Sequence, residues 1–452
     1  MKRLLIFSVL LLGASNATVT ERERATHALN RLAFGARPGD VERVLQLGVD
    51  RWIEQQLHPE RISDRVLEAR LAQYDTLTMS NEEIVEQYAK PLLEARRARK
   101  SKDDPDEIAK LRRMIPPDRR PRKLIEELSA QRILRAAESE RQLNEVMVDF
   151  WMNHFNVFAG KGVDRFLLTS YERDTIRPRI WGHFDDLVLA TAKAPAMLFY
   201  LDNARSRNGA INENYARELM ELHTLGVDGG YTQNDVTELA RVLTGWSLAS
   251  PRDATGGFVY RRNAHDRGTK TVLGIRFAAG GGMEEGERMI RFLANHSSTA
   301  HHIVTKLCQR LVADDPPKAL VDRVAKRFLD TRGDLRETVK AVVTSREFSD
   351  PAMIRAKVKS PFEYAISAVR AAGAKIEDPL PLARELQKIG EPLYFAQPPT
   401  GYSDRSDAWT NSGALMNRLN FVLALAEGKM PGVRVSAKID PMVLGSPEFQ
   451  KQ

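Results

Sequence analysis

Helix punctuation recurs from one end of this chain to the other, and it restricts the fold more than any other feature. Gly35, Pro38, Gly39 and Asp40 end one helical segment and open the next, with glycine past a helix end and aspartate ahead of a new start. Asp50 opens a short segment over residues 51–57 that stops at His58-Pro59. A charged helix is expected over about 81–99 and one or two more over about 124–158, the last with a buried end. Asp334-Leu335-Arg336-Glu337 has the form of a capping box. Residues 256–276 break the pattern. There Phe258–Tyr260 and 271–273 flank a polar turn with His265, Asp266 and Gly268, the signal of a small hairpin, and Gly280-Gly281-Gly282 follows as a joint. No repeat at solenoid spacing and no low-complexity linker divides the chain. The expected fold is mainly α: a single large multi-helix domain over 18–445 with a small β-hairpin excursion, then a tail at 446–452.

The N-terminus speaks to compartment. Lys2-Arg3 precede the apolar run 4–12, and small residues lead to Ala17, the layout of a secretory signal peptide over 1–17. That run is shorter than the roughly 20 residues a membrane span requires. A periplasmic or secreted product, without a membrane anchor after cleavage, is expected. The single cysteine, Cys308, excludes an internal disulfide, and its aliphatic neighbours make it a buried, inert thiol. The formal charge is +8, but residues 96–123 alone hold twelve Lys or Arg against five Asp or Glu, interrupted by Pro105, Pro116, Pro117 and Pro121. Nucleic-acid binding wants basic residues along a groove with aromatics to stack on bases. Here charge and aromatics are separated, so the run reads as a solvated excursion and no nucleic-acid partner is expected.

Residues able to do chemistry crowd two stretches. At about 100° per residue, Met147, Phe150, His154 and Phe158 share a face, which sinks His154 among aromatics, and Asp149, Asn153 and Asn156 form a polar stripe. Residues 212–246 read as helix, tight turn, helix. Asn212, Glu213, Asn214, Arg217, Glu218, Glu221 and His223 crowd the first helix, where Arg217 and Glu221 are placed to pair across one turn. On the second, Thr232 and Asp235 make a capping box, while Val236, Leu239, Leu243 and Trp246 make a core stripe. The loop 228–232 lacks the oxygen ligands of a calcium-binding hand. Residues 295–299 read as a helix start capped by hydroxyls, with His301 and His302 inside that helix. No zinc-protease, nucleophile-elbow, phosphate-loop or dinucleotide motif occurs, so a catalytic site would have to be assembled from distant segments. The candidate catalytic residues are His154, Glu218, His265 and Asp266. Asn153, Asn214, Arg241 and Trp246 are candidates to position substrate. A divalent metal would draw ligands from His154, His223, His265 and Asp266.

Several of these segments are long and specific. They include 27–35, Phe150-Trp151-x-Asn153-His154-Phe155, and Asn212-Glu213-Asn214-x-Ala216-Arg217-Glu218-Leu219 with its His-Thr-Leu-Gly ending. Others are Asp235-Val236 through Thr244-Gly245-Trp246, His265-Asp266 with Lys270, and Ser360-Pro361-Phe362-Glu363. On them the chain resembles, from His27 to Leu423, a bacterial family catalogued as domain of unknown function 1800. The resemblance implies an exported helical protein, often encoded beside a second family related to sulfatases, and it brings no reaction with it. Two functions follow as expectations. One is an exported hydrolase or metal-assisted enzyme with its site between the 146–158 and 212–246 helices, His154 acting as base or ligand. The other is a non-catalytic partner or maturation factor for an exported sulfatase-like protein. An enzyme requires a place where the polar stripes converge; a partner requires them satisfied by one another, plus an exposed apolar patch.

Overall fold

The computed structural model describes residues 19–91, 116–249, 257–436 and 439–452. The expected signal peptide and most of the basic excursion lie outside these residues. The fold is mainly α and a single domain. Two helices are buried on nearly every side: Gln142–His154, with 11 of 13 residues buried, and Pro361–Ala371, with ten of 11. A helix apolar on all faces has to be wrapped. Around Gln142–His154 pack Glu21–Leu32, Val49–Gln56, Arg122–Glu138 and the π-turn Tyr171–Ile176. One contiguous apolar core runs through all of them. A small second core joins Asn81–Ile84 and its π-helical continuation Val85–Ala89 to Leu124 and Phe166.

Charge enters this interior in pairs. Asp149 accepts from Arg132 and from Arg310, and Arg310 also meets Glu363 at 3.0 Å. Arg177 joins Glu145 at 2.9 Å and Glu172 at 2.7 Å, and Arg370 reaches Asp40 at 3.2 Å. Removing one member of such a pair costs about 3–5 kcal/mol, so each pair restricts how neighbouring helices can stack.

Local starts differ from expectation where a side chain found a better partner. Gly39 and Gly48 hold the cap positions expected for Asp40 and Asp50. Asp40 sits one residue inside its helix, where its carboxylate accepts from the Arg37 amide at 2.9 Å and from Arg370. Asp334 does cap Leu335–Val343, but Glu337 turns to Arg327 instead of closing the box. The Ser297–Leu311 helix is capped by the His296 ring, which accepts from the Ser298 amide at 3.2 Å, while Thr299 donates to the Leu293 carbonyl. Residues 446–452, expected as a tail, pack on 357–359: the Lys359 amide donates to the Gln450 carbonyl at 2.9 Å and the Gln452 amide to Lys357 at 2.8 Å.

Six short strands form three antiparallel pairs among the described residues. They are β1 (Trp246–Leu248), β2 (Phe258–Tyr260), β3 (Lys270–Val272), β4 (Ile275–Phe277), β5 (Lys375–Ile376) and β6 (Val433–Arg434). The expected hairpin paired Phe258–Tyr260 with 271–273, and the structure corrects it. β2 pairs with β1, Trp246 opposite Tyr260, and β3 folds back on β4, Val272 opposite Ile275. Leu273 (φ 48) and Gly274 (φ 76) both take positive φ, which is what a two-residue hairpin turn demands. Pairing β1 with β2 also covers the fully buried Trp246 with Phe258, ring centroids 5.2 Å apart. No helix among the described residues is long and apolar enough to cross a membrane.

Candidate acid–base site

The 212–246 stretch is not two plain helices. Asn214–Glu218 is α-helical, Leu219–His223 widens into a π-turn, and Gly226 reverses the chain. The last carbonyls of any helix have no partner within it. Here two of them accept from imidazoles on other elements. His154 Nε2 donates to the His223 carbonyl at 3.3 Å, and His302 Nε2 donates to the Leu222 carbonyl at 3.1 Å. With Nε2 carrying the proton, the Nδ1 of each neutral ring is a bare lone pair. His154 Nδ1 and His223 Nε2 are both buried without a hydrogen-bond partner. The three rings lie close: His154 to His223 is 5.9 Å between centroids, and His154 to His302 is 6.4 Å.

The electrostatics keep these rings neutral. Burial drives the His154 pKa well below its ordinary value, with the Lys306 cation acting in the same direction. By the same two causes His223 falls to about 3 and His302 to about 4. Lys306 stands one turn beyond His302 on Ser297–Leu311, and Arg310 one turn further, so one face of that helix carries an imidazole followed by two cations. Asp404 completes the surroundings. Burial raises its pKa, opposed by Lys306, Arg310 and Lys357. Its loop is held by the polar stripe read from the sequence. Asn153 donates to the Tyr402 carbonyl at 2.8 Å and accepts from its amide at 2.7 Å, and Asn156 donates to the Ala396 and Pro398 carbonyls. Gly401 (φ 71) is the hinge of that contact; a Cβ there would lie 2.4 Å from the Asn153 carbonyl oxygen.

His265 and Asp266 belong to a second cluster in which nearly every polar atom is occupied. His265 Nδ1 donates to the Thr244 carbonyl at 2.8 Å, and Nε2 meets Glu285 Oε2 at 3.2 Å. The same oxygen accepts from Lys270 at 2.8 Å, and Lys270 is only 1% exposed. Asp266 receives Arg241 bidentately at 2.9 and 3.1 Å, which holds its carboxyl below the usual range, and Arg241 also donates to Glu238 at 2.6 Å. Gly245 (φ 80) lets β1 start against this turn, since a Cβ there would stand 2.7 Å from the Arg261 carbonyl oxygen.

The structure therefore groups His154 with His223, and His265 with Asp266 and Arg241. Among the described residues, no hydrogen bond, ion pair or ring contact joins His154 to His265, Asp266 or Glu218. Glu218 is half-buried, and its pKa is raised by burial and then by Glu221. Asn214 donates to the Leu201 carbonyl at 3.3 Å, and Trp246 is fully buried. Arg217 pairs backwards with Glu213 at 3.3 Å, not with Glu221. Among the described residues no three His, Cys, Asp or Glu side chains are grouped so as to hold a metal ion. Sequence reasoning missed Lys306, Asp404, Glu285 and the part His302 plays. The i, i+4 spacing of His302 and Lys306, which sets them on one face of their helix, was the one signal available.

A family model described as Protein of unknown function (DUF1800) matches residues 27–450. No curated protein and no solved structure matches the chain.

Proposed function

Since the chain belongs to the family described as Protein of unknown function (DUF1800), a description that names no reaction, we propose on physical grounds that it is a hydrolase working by acid–base catalysis at His154. One observation carries the reading. His154 is buried with its N–H committed to a backbone carbonyl and its other nitrogen unpartnered, beside the likewise unpartnered Nε2 of His223. Buried polar atoms are normally satisfied, and an exception asks for a reason. The second cluster offers no such exception at His265 or Asp266, so those residues are assigned to holding the β1–β3 region and Arg241. Lys306 would receive an anionic group of the substrate. Burial depresses the three imidazoles most and the Lys306 cation next; an anion there offsets the second of these, so His154 becomes a stronger base as the substrate seats. Glu218, with its raised pKa and its place five residues before His223, is the proposed proton carrier. The basic N-terminus and apolar run 4–12 support action in the periplasm or outside the cell. A metal-assisted version has less geometric support, because among the described residues no third ligand stands with His154 and His223.

The test is turnover of a panel of chromogenic carboxylic, phosphate and sulfate esters and glycosides by purified protein and by His154→Gln. General-base loss predicts a fall of about 10²–10⁴ in rate with folding preserved. Unchanged turnover in the variant removes His154 from catalysis. No turnover by either protein, with His154→Gln less stable by more than about 2 kcal/mol, makes the ring a helix-end cap and nothing more. Metal analysis decides the metal-assisted version directly.

A second reading has its own observation. Met416 (59% exposed), Leu419 and Leu423 line one side of Ser412–Ala426, and Met442 (77%) and Val443 of the neighbouring Pro441–Gly445 are exposed too. A contiguous apolar patch marks an interaction surface, which suits a non-catalytic partner of an exported sulfatase-like protein. Co-purification with that neighbour, lost in Leu419→Asp, supports this reading; co-purification unaffected by Leu419→Asp counts against this face.

A further inference from the structure

Apart from the histidine cluster, the Arg122–Glu138 and Leu380–Lys388 helices and the segments around Ala159, Arg165 and Leu393 enclose a groove of about 290 Å³. Its walls are apolar: Ile125, Leu380, Leu393 and Phe395, the last 44% exposed. Three arginines also line it, Arg122, Arg165 and Arg384. Arg122 is neutralised by Glu126 at 3.1 Å. Arg165 and Arg384 have no acidic partner among the described residues, and Arg165 Nε is buried without a hydrogen bond.

We propose that this groove binds a small organic carboxylate with an apolar body. The two halves of the site each exclude a simpler ligand. A neutral apolar molecule would take water from the guanidinium groups of Arg165 and Arg384 and offer their N–H donors no acceptor, at a cost of order 1–3 kcal/mol. An inorganic anion would satisfy the guanidinium groups and leave the apolar wall wet. A carboxylate accepts from a planar guanidinium in the two-bond geometry arginine presents, while its carbon body covers Leu393 and Phe395. The volume lies at the small end of the roughly 300–1,000 Å³ typical of ligand pockets, which fits a free molecule and not a polymer.

The probe is 1-naphthaleneacetate, compared with its uncharged methyl ester by titration calorimetry on the whole protein. One saturable site is expected for the acid, with the ester at least tenfold weaker. Arg384→Glu, on an exposed position that leaves the core untouched, should weaken the acid at least tenfold and leave the ester unchanged. Arg165→Gln should do the same if it folds. Equal affinity for acid and ester, no saturable binding of the acid, or an unaltered acid affinity in Arg384→Glu would each overturn the assignment.

Discussion

Glu285→Leu should be one of the most damaging single changes outside the apolar core, and a second substitution should undo most of it. Glu285 Oε2 accepts from Lys270 at 2.8 Å and faces His265 Nε2 at 3.2 Å, in a setting where Lys270 and His265 are each 1% exposed. Without the carboxylate, Lys270 keeps only the Gly268 carbonyl at 3.2 Å. Each charge-assisted bond contributes about 1.5–3 kcal/mol, and an uncompensated buried charge costs about 3–5 kcal/mol. The expected loss is therefore about 4 kcal/mol, measured in urea as a shift of midpoint at constant slope. Replacing both partners by apolar residues of similar volume is often neutral or better. Lys270→Met combined with Glu285→Leu should therefore recover to within about 2 kcal/mol of the natural protein. The double variant isolates the pair, because the residues touch and their effects are not additive. A single-variant loss below about 1 kcal/mol, or a double variant no better than Glu285→Leu, would refute a buried pair whose partners each depend on the other.

Two further outcomes concern pH. Asp164 is fully buried with neither carboxylate oxygen partnered, and burial raises its pKa well above the usual value. A raised carboxyl gives stability that is present below the unfolded pKa, about 3.9, and lost as pH rises through the folded value. Asp164→Asn should thus be more stable than the natural protein at pH 7, with the difference vanishing near pH 3; no gain at pH 7 would show that the oxygens are satisfied. His27 behaves in the opposite sense. Burial lowers it to about 4, so its contribution is present above the unfolded value of about 6.5 and lost as pH falls toward 4. His27→Leu should gain on the natural protein by about 1.4 kcal/mol per pH unit over that window, read from urea midpoints, and parallel pH profiles would contradict it.

Much of the helical layout could be read directly from residue order. Thr232 and Asp235 form the expected reciprocal box, and Val236, Leu239, Leu243 and Trp246 are all fully buried. Cys308 is buried, with its thiol pushed up to about 12. His154 and His223 do sink into the interior, as their faces required. Three of the failures share one form: the residues were found and the partner was not. Glu337 had two ways to satisfy its charge and took Arg327, Arg217 took Glu213, and β2 took β1. Each of those choices depends on the approach of a second segment, which periodicity does not encode.

Within a helix, a fixed rotation per residue decides which side chains share a face, so the sequence by itself determined that this chain is helical, that its single thiol is buried and that His154 and His223 turn inward. Only the tertiary structure decided what those histidines meet. The carbonyls of Leu222 and His223 are exposed by a π-turn, the rings that reach them come from residues 69 and 80 positions away in sequence, and Lys306 arrives on the helix that carries His302. A lone pair is free or engaged according to distances of a few tenths of an ångström between separate elements. Those distances are set by how the helices stack around Gln142–His154 and its buried ion pairs, and no local pattern of residues contains them.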